Sequence, residues 1–203
     1  MTAPSLLPVE EGDPGLEERS KPLMKIRIIG LGNVLMSDDG FGPYVVRVLE
    51  AFYDLPQQVQ VIDAGTPGID LTPYLLDADV VIFVDTVDAA GRAGDIHRFC
   101  LSDVLGQGRG GGPHDPAVKE ALLTAAAAGM GPKNGLLVGV IPEWIATGVS
   151  LSRPVRSAIA PVIGMLATEL DRLGVRVSLR PTPRHADTWW VRPTSECVPH
   201  AVA

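Results

Sequence analysis

Acidic side chains follow three predicted strands of this chain at the points where those strands end. Asp39 comes soon after the first strand and its glycine turn, Asp63 ends the second strand, and Asp85 ends the third. His114 closes a glycine-rich loop just before a predicted helix. Because the carboxyl ends of parallel strands meet at one edge of a sheet, we expect these groups to share that edge. Two carboxylates and one imidazole, with positions left open, suit a divalent metal such as zinc or nickel.

Each of these residues, taken alone, also has a structural explanation. Asp39 is typical of an acid that complements the dipole of a helix beginning beside it. Asp63 before Ala-Gly is equally typical of a turn, and Asp85 of an acid that caps the next segment. His114 also fits an ordinary loop that precedes a helix capped by Asp115. Only their joint position at strand ends favours the metal site.

The elements that must position these residues alternate between strand and helix. A run of apolar residues without a break, at 80–84, is typical of a central strand covered on both faces. The alternation predicts an α/β fold with a mainly parallel sheet and helices on both faces. The strands are expected at 25–29, 59–62, 80–84, 96–99, 136–141 and 175–179, and the helices at 41–52, 72–78, 115–128 and 152–173.

The composition fits one domain and excludes several classes of function. The chain has 203 residues and a net charge of −7, which disfavours nucleic-acid binding because phosphate contacts need clustered Lys and Arg. Cys100 and Cys197 are too far apart in the chain to form a CxxC metal motif. We expect an acidic flexible segment at 1–23, a single α/β domain at 24–179 and an irregular tail at 180–203. Trp189 and Trp190 in that tail are expected to cover core.

The chain shows no secretory or membrane signal. Its first 20 residues are acidic and lack a basic start and an apolar stretch, so they do not form a signal peptide. No apolar run approaches the roughly 18 residues that a membrane helix needs. We therefore expect a cytoplasmic protein.

A glycine turn after the first strand suggests one alternative function. Gly30-Leu-Gly32 begins like a dinucleotide-binding fingerprint, but Leu35 stands where the third glycine belongs. Acids at 38 and 39 would repel a pyrophosphate at that turn. Asp63 would suit a ribose contact, so dinucleotide binding stays as an alternative.

Five stretches, taken together and in order, resemble the hydrogenase maturation proteases, the endopeptidases that trim the C-terminus of the large subunit of nickel–iron hydrogenases. They are GLGNVLMSDDGFG at 30–42, IDAGT at 62–66, FVD at 83–85, PH at 113–114 and LVGVIPE at 137–143. The resemblance spans about residues 25–178 and implies a three-layer fold with a twisted sheet of about five strands. In many family members the first metal-contacting acid is Glu, whereas this chain has Asp39.

The resemblance implies roles for the site residues. Asp39, Asp85 and His114 fall on the metal-contacting positions. Asp63 is added to these three as a candidate catalytic residue because it ends the second strand, and not because of the resemblance. The implied substrate is a nickel-loaded large-subunit precursor, which family members cut after a His or Arg. The nickel is then carried by the substrate, and zinc or cadmium would substitute for it in crystals. We expect the protein to act as a monomer.

The chemistry of cleavage stays open between two hypotheses. In one, the metal polarises the scissile carbonyl or activates water, with Asp63 or Asp38 as the general base. In the other, carboxylates alone activate water, as in aspartic proteases. The chain has neither a Gly-x-Ser-x-Gly nor an HExxH motif. A protein that handles nickel or docks the precursor without cutting it is the alternative from another class.

Overall fold

The computed structural model describes residues 23–106 and 115–190. His114 therefore lies outside the described residues, as do most of the predicted acidic segment and the tail beyond Trp190. The strands are β1 (Ile26–Leu31), β2 (Tyr53–Asp54), β3 (Val59–Gly65), β4 (Val80–Thr86), β5 (Ile96–Cys100), β6 (Asn134–Val140) and β7 (Ser178–Leu179). The helices are α1 (Phe41–Phe52), α2 (Leu101–Leu105), α3 (Asp115–Ala127) and α4 (Arg153–Arg172), with 3-10 helices at Ser37–Gly40 and Gly68–Tyr74.

The main sheet has five strands in the order β3-β1-β4-β6-β5. The first four are parallel, and β5 pairs antiparallel with β6 at the edge. The chain passes from β1 outward to β3 and then returns across β1 to β4. The direction of winding therefore changes between β1 and β4, and in open α/β sheets a ligand crevice lies at such a point.

Two apolar layers cover the sheet, which confirms the predicted three-layer α/β fold. Ile26 and Ile28 of β1 face the layer formed by α1 and α4. Ile29 and Leu31 of the same strand face the opposite layer, formed by α2, α3 and the 3-10 helix Gly68–Tyr74. Successive side chains of a strand point to opposite faces, so an unbroken apolar strand supplies both layers.

Two predicted elements differ from the structure. The helix predicted at 72–78 is instead the 3-10 helix Gly68–Tyr74, which contains Thr72. It cannot continue to Ala78 in helical geometry because Asp77 has a φ of 62°. The last strand, predicted at 175–179, is reduced to Ser178–Leu179, which pairs with β2.

The chain after β7 runs along α1 toward the carboxyl edge of the sheet. The backbone N–H of Arg180 donates to the oxygen of Phe52, and that of Arg184 donates to the oxygen of Ala51, at 2.8 and 2.9 Å. The described chain ends at Trp190, whose ring lies 5.2 Å from the ring of Tyr44 in α1. In the part of the chain that the structure describes, no helix is both long and apolar enough to span a membrane.

Candidate functional site

The ends of β1 and β4 meet the first turn of α1 at the carboxyl edge of the sheet. A Cβ atom added to Gly42 would collide with the backbone oxygens of Leu31 and Val84. The absent side chain thus lets α1 begin directly against the ends of both central strands. This close approach brings the 3-10 helix Ser37–Gly40, with its two acids, into contact with β4.

Asp38 is a fully buried acid that joins the segment after β1 to the segment after β6 by hydrogen bonds. Its Oδ1 accepts the backbone N–H of Ser152 at 2.6 Å, and its Oδ2 accepts those of Glu143 and Trp144 at 2.9 and 3.2 Å. The side chain has no exposed surface. Both carboxylate oxygens therefore accept backbone N–H groups. This argues against the hypothesis that Asp38 is a general base that reaches the substrate.

Further hydrogen bonds join residues 141–152 to the loop just before Asp38, residues 32–37, and we call these two loops the paired loops. The backbone N–H of Ser37 donates to the oxygen of Gly148 at 2.8 Å, and the N–H of Gly148 donates to the oxygen of Leu35 at 2.9 Å. The Ser37 hydroxyl donates to the backbone oxygen of Ala146 at 2.9 Å. The paired loops are thus held to each other at several points.

Asp39 and Asp85 are both buried where β1 and β4 end, with 6% and 2% of their surface exposed. Asp39 Oδ2 accepts the backbone N–H of Asn33 at 2.8 Å, and Asp85 Oδ1 accepts that of Thr86 at 2.7 Å. Burying carboxylates is costly unless protons, hydrogen bonds or cations compensate. Two buried acids at the point where the winding changes are suited to receive a cation.

The third predicted metal ligand, His114, lies outside the described residues, and α3 begins one residue later at Asp115. Within residues 23–106 and 115–190, no three His, Cys, Asp or Glu side chains form a group that could hold a metal ion. Of the three predicted metal ligands, the described residues therefore include two, the carboxylates of Asp39 and Asp85.

Asp63 lies at the carboxyl end of β3, opposite Gly30 of β1. Its Oδ2 accepts a hydrogen bond from the Arg47 guanidinium at 3.3 Å, its Oδ1 accepts the N–H of Gly65 at 3.2 Å, and 18% of its side chain is exposed. Asp63 borders a cleft of about 240 Å³. The cleft is lined by Gly32, Asn33, Val34, Pro43, Asp63, Gly65, Thr66, Trp189 and Trp190.

The two tryptophans at the end of the described chain differ sharply in exposure. Trp190 is 4% exposed and packs edge-on against Tyr44, as expected for a residue that covers core. Trp189 is 71% exposed, so the prediction that it covers core is wrong. The Tyr44 hydroxyl donates to the backbone oxygen of Val149 at 3.0 Å. Burial raises the pKa of Tyr44. Tyr44 therefore links the paired loops to the segment that carries the tryptophans.

Comparison with known proteins gives a consistent set of matches. A family model described as hydrogenase maturation protease matches residues 43–169, a range that begins just after Asp39. The hydrogenase expression/formation protein HupD of Bradyrhizobium diazoefficiens is 32% identical, over 78% of this chain and 84% of its own length. The hydrogenase 2 maturation protease of Escherichia coli is 29% identical, over 75% of this chain and 94% of its own.

The structural comparison agrees. The hydrogenase maturating endopeptidase HybD from E. coli superposes with a TM-score of 0.71 at 29% identity, covering 77% of this chain and 98% of that one. Fold and relatives together define a peptidase with an α/β architecture. Within that class, the chain belongs to the hydrogenase maturation protease family. This confirms the resemblance found in the sequence and replaces the dinucleotide-binding alternative.

Proposed function

We propose that this protease removes the C-terminal extension of a nickel–iron hydrogenase large-subunit precursor after nickel has been inserted. The observation that carries the proposal is the burial of Asp39 and Asp85 at the junction of β1 and β4. A cation brought by the substrate would offset the cost of that burial. A precursor without nickel would lack this contribution, so cleavage would report on metal loading.

We propose His114 as the nitrogen ligand of this nickel contact. Asp85 follows Val81 and Phe83 at the strand period of two, on the face of β4 that α3 covers. The turn after α3 lies at the amino edge, where Lys133 N–H donates to the oxygen of Asp79. Helix α3 therefore begins toward the carboxyl edge. These two features support the assignment, and substrate cysteines would supply the remaining ligands of the nickel.

We propose Asp63 as the general base for hydrolysis. It is partly exposed to the cleft, whereas the alternative base, Asp38, is committed to three backbone N–H groups. Water adds to the scissile carbonyl carbon and gives a proton to Asp63. The proton passes to the leaving amine as the peptide C–N bond breaks. The nickel of the substrate positions or polarises the carbonyl.

The proposal is tested by mass spectrometry of the nickel-loaded and nickel-free precursor after incubation with the protease. The wild-type chain should shorten only the loaded precursor. Asp39→Asn should lower the rate at least about 100-fold, because the substrate's cation loses its charged partner. The amide can still accept the N–H of Asn33, and the melting temperature is measured alongside to separate a loss of folding from a loss of catalysis. The control is Asp171→Asn, an exposed acid at the end of α4.

Three outcomes would contradict parts of the proposal. A wild-type chain that binds loaded precursor and leaves it at full length would be a docking or nickel-handling protein. Equal cleavage of both precursors would remove nickel from the recognition step. Cleavage by Asp39→Asn at the rate of Asp171→Asn would show that the site has been assigned to the wrong residues.

A further inference from the structure

Four large apolar side chains are exposed on the paired loops. Leu35, Trp144, Ile145 and Val149 have 51%, 50%, 43% and 40% of their surface exposed, and we call them the apolar rim. Moving side chains of this size out of water lowers the free energy, so a group of them on two hydrogen-bonded loops indicates an interaction site. Trp is also among the residues that contribute most to binding at protein interfaces.

The apolar rim is held in place by hydrogen bonds to the backbone of the paired loops. Asp38 binds the backbone N–H of Trp144 directly, and the Leu35 oxygen accepts the N–H of Gly148, next to Val149. The oxygen of Val149 accepts the hydroxyl of Tyr44. Loops fixed in this way lose little conformational entropy when a partner binds, which favours affinity. The rim is thus organised before any partner arrives.

We propose that the apolar rim docks a neutral, apolar surface of the folded precursor beside the segment to be cut. This inference rests on the proposed function, because the loops that carry the rim also adjoin the candidate site. Asp38 binds Trp144, and the next residue, Asp39, is one of the two buried site acids. A polypeptide bound for cleavage at this edge therefore meets the rim.

The composition of the paired loops favours an uncharged partner surface. Residues 32–37 carry no charged side chain, and residues 141–152 carry only Glu143. A second copy of this chain is a poorer occupant, because the two copies would each carry a net charge of −7. It would also cover the site that the substrate must enter.

The test compares the double variant Trp144→Ser/Val149→Ser with the control Met24→Ser/Met130→Ser. Met24 and Met130 are 37% and 44% exposed and line a cleft at the opposite, amino edge of the sheet. The rim variant should raise the KM for nickel-loaded precursor at least about 10-fold, with a much smaller change in kcat. The control should stay within about 2-fold of wild type on both constants.

Binding and oligomeric state are measured separately from cleavage, by biolayer interferometry and light scattering. If wild type binds precursor and the rim variant binds about 10-fold more weakly, docking holds even if no cleavage occurs, and only the proposed function fails. If wild type cleaves precursor and the rim variant keeps the wild-type KM and Kd, the docking proposal is overturned. A wild-type dimer that the rim variant abolishes would also overturn it.

Discussion

The two edges of the central sheet differ in how deeply some of their charged side chains are buried. At the carboxyl edge, Asp38 is buried and holds backbone N–H groups, while large apolar side chains face solvent. At the amino edge, an exposed ion pair joins neighbouring segments, between Lys133 Nζ and Asp79 Oδ1 at 3.7 Å. Exposed pairs contribute little to stability, whereas a buried acceptor is costly to remove.

This difference in burial predicts how much each edge contributes to the stability of the site. The carboxyl edge places a charge inside the protein to fix two loops that are far apart in the chain. At the amino edge, the pair between Lys133 and Asp79 is exposed, so water and salt screen its attraction. Removing one charge at each edge should therefore produce very different losses of stability.

The largest effect is expected for Asp38→Ala. Three backbone N–H groups would lose their acceptor: that of Ser152, which is buried, and those of Glu143 and Trp144, which are partly buried. The free energy of unfolding should fall by about 2 kcal/mol or more, since a buried unsatisfied donor costs about 1–3 kcal/mol and the two partly buried donors add smaller losses. Urea unfolding at pH 7 measures this. A loss under about 1 kcal/mol would mean that water replaces the carboxylate easily and that the edges are alike.

A smaller effect is expected for Tyr44→Phe. The change removes the hydrogen bond to Val149 and should cost about 1 kcal/mol near pH 8. Burial raises the pKa of Tyr44 and outweighs Trp190 and Arg156, which lower it, so the folded state favours the neutral phenol. This contribution is present below about pH 10, the ordinary pKa of tyrosine, and is lost as pH rises through the raised pKa.

Thermal unfolding between about pH 8 and 11 checks the Tyr44 prediction. Wild type should lose more stability than Tyr44→Phe over the alkaline part of that range, because Phe cannot ionise. Parallel curves for the two proteins would show that ionisation of Tyr44 is not linked to folding.

The smallest effect is expected for Lys133→Ala. The Lys133 side chain is 85% exposed, so its pair with Asp79 should contribute less than about 0.5 kcal/mol. Urea unfolding of wild type and Lys133→Ala, at low and at high salt, measures this loss. A loss that matches that of Asp38→Ala would erase the contrast between the edges.

Much of the fold follows from local patterns in the sequence. The apolar spacing in residues 41–52 predicts α1 with the bounds that the structure shows, and the unbroken run at 80–84 predicts the central strand β4. These patterns succeed because side chains three or four apart share a helix face, and because central parallel strands are buried on both sides. Helix α2 was not predicted, because its five residues are too few to show a period.

The candidate site was only partly predictable. Strand ends bring Asp39 and Asp85 to one edge, as the sequence indicated, and Asp63 lies at the same edge in a neighbouring cleft. The structural role of Asp38 was missed, because its partners Glu143, Trp144 and Ser152 come more than a hundred residues later. No local signal marks a hydrogen bond that depends on the finished fold. The role of His114 stays a prediction.

The lack of a side chain at Gly42 has a consequence for genetics. One extra carbon atom there would press on the oxygens of Leu31 and Val84 and push the first turn of α1 away from both strand ends. The neighbouring acids would separate although every reacting group was intact. In a screen for inactive alleles, substitutions at Gly42 should therefore appear alongside those of the acids themselves, as failures of alignment and not of chemistry.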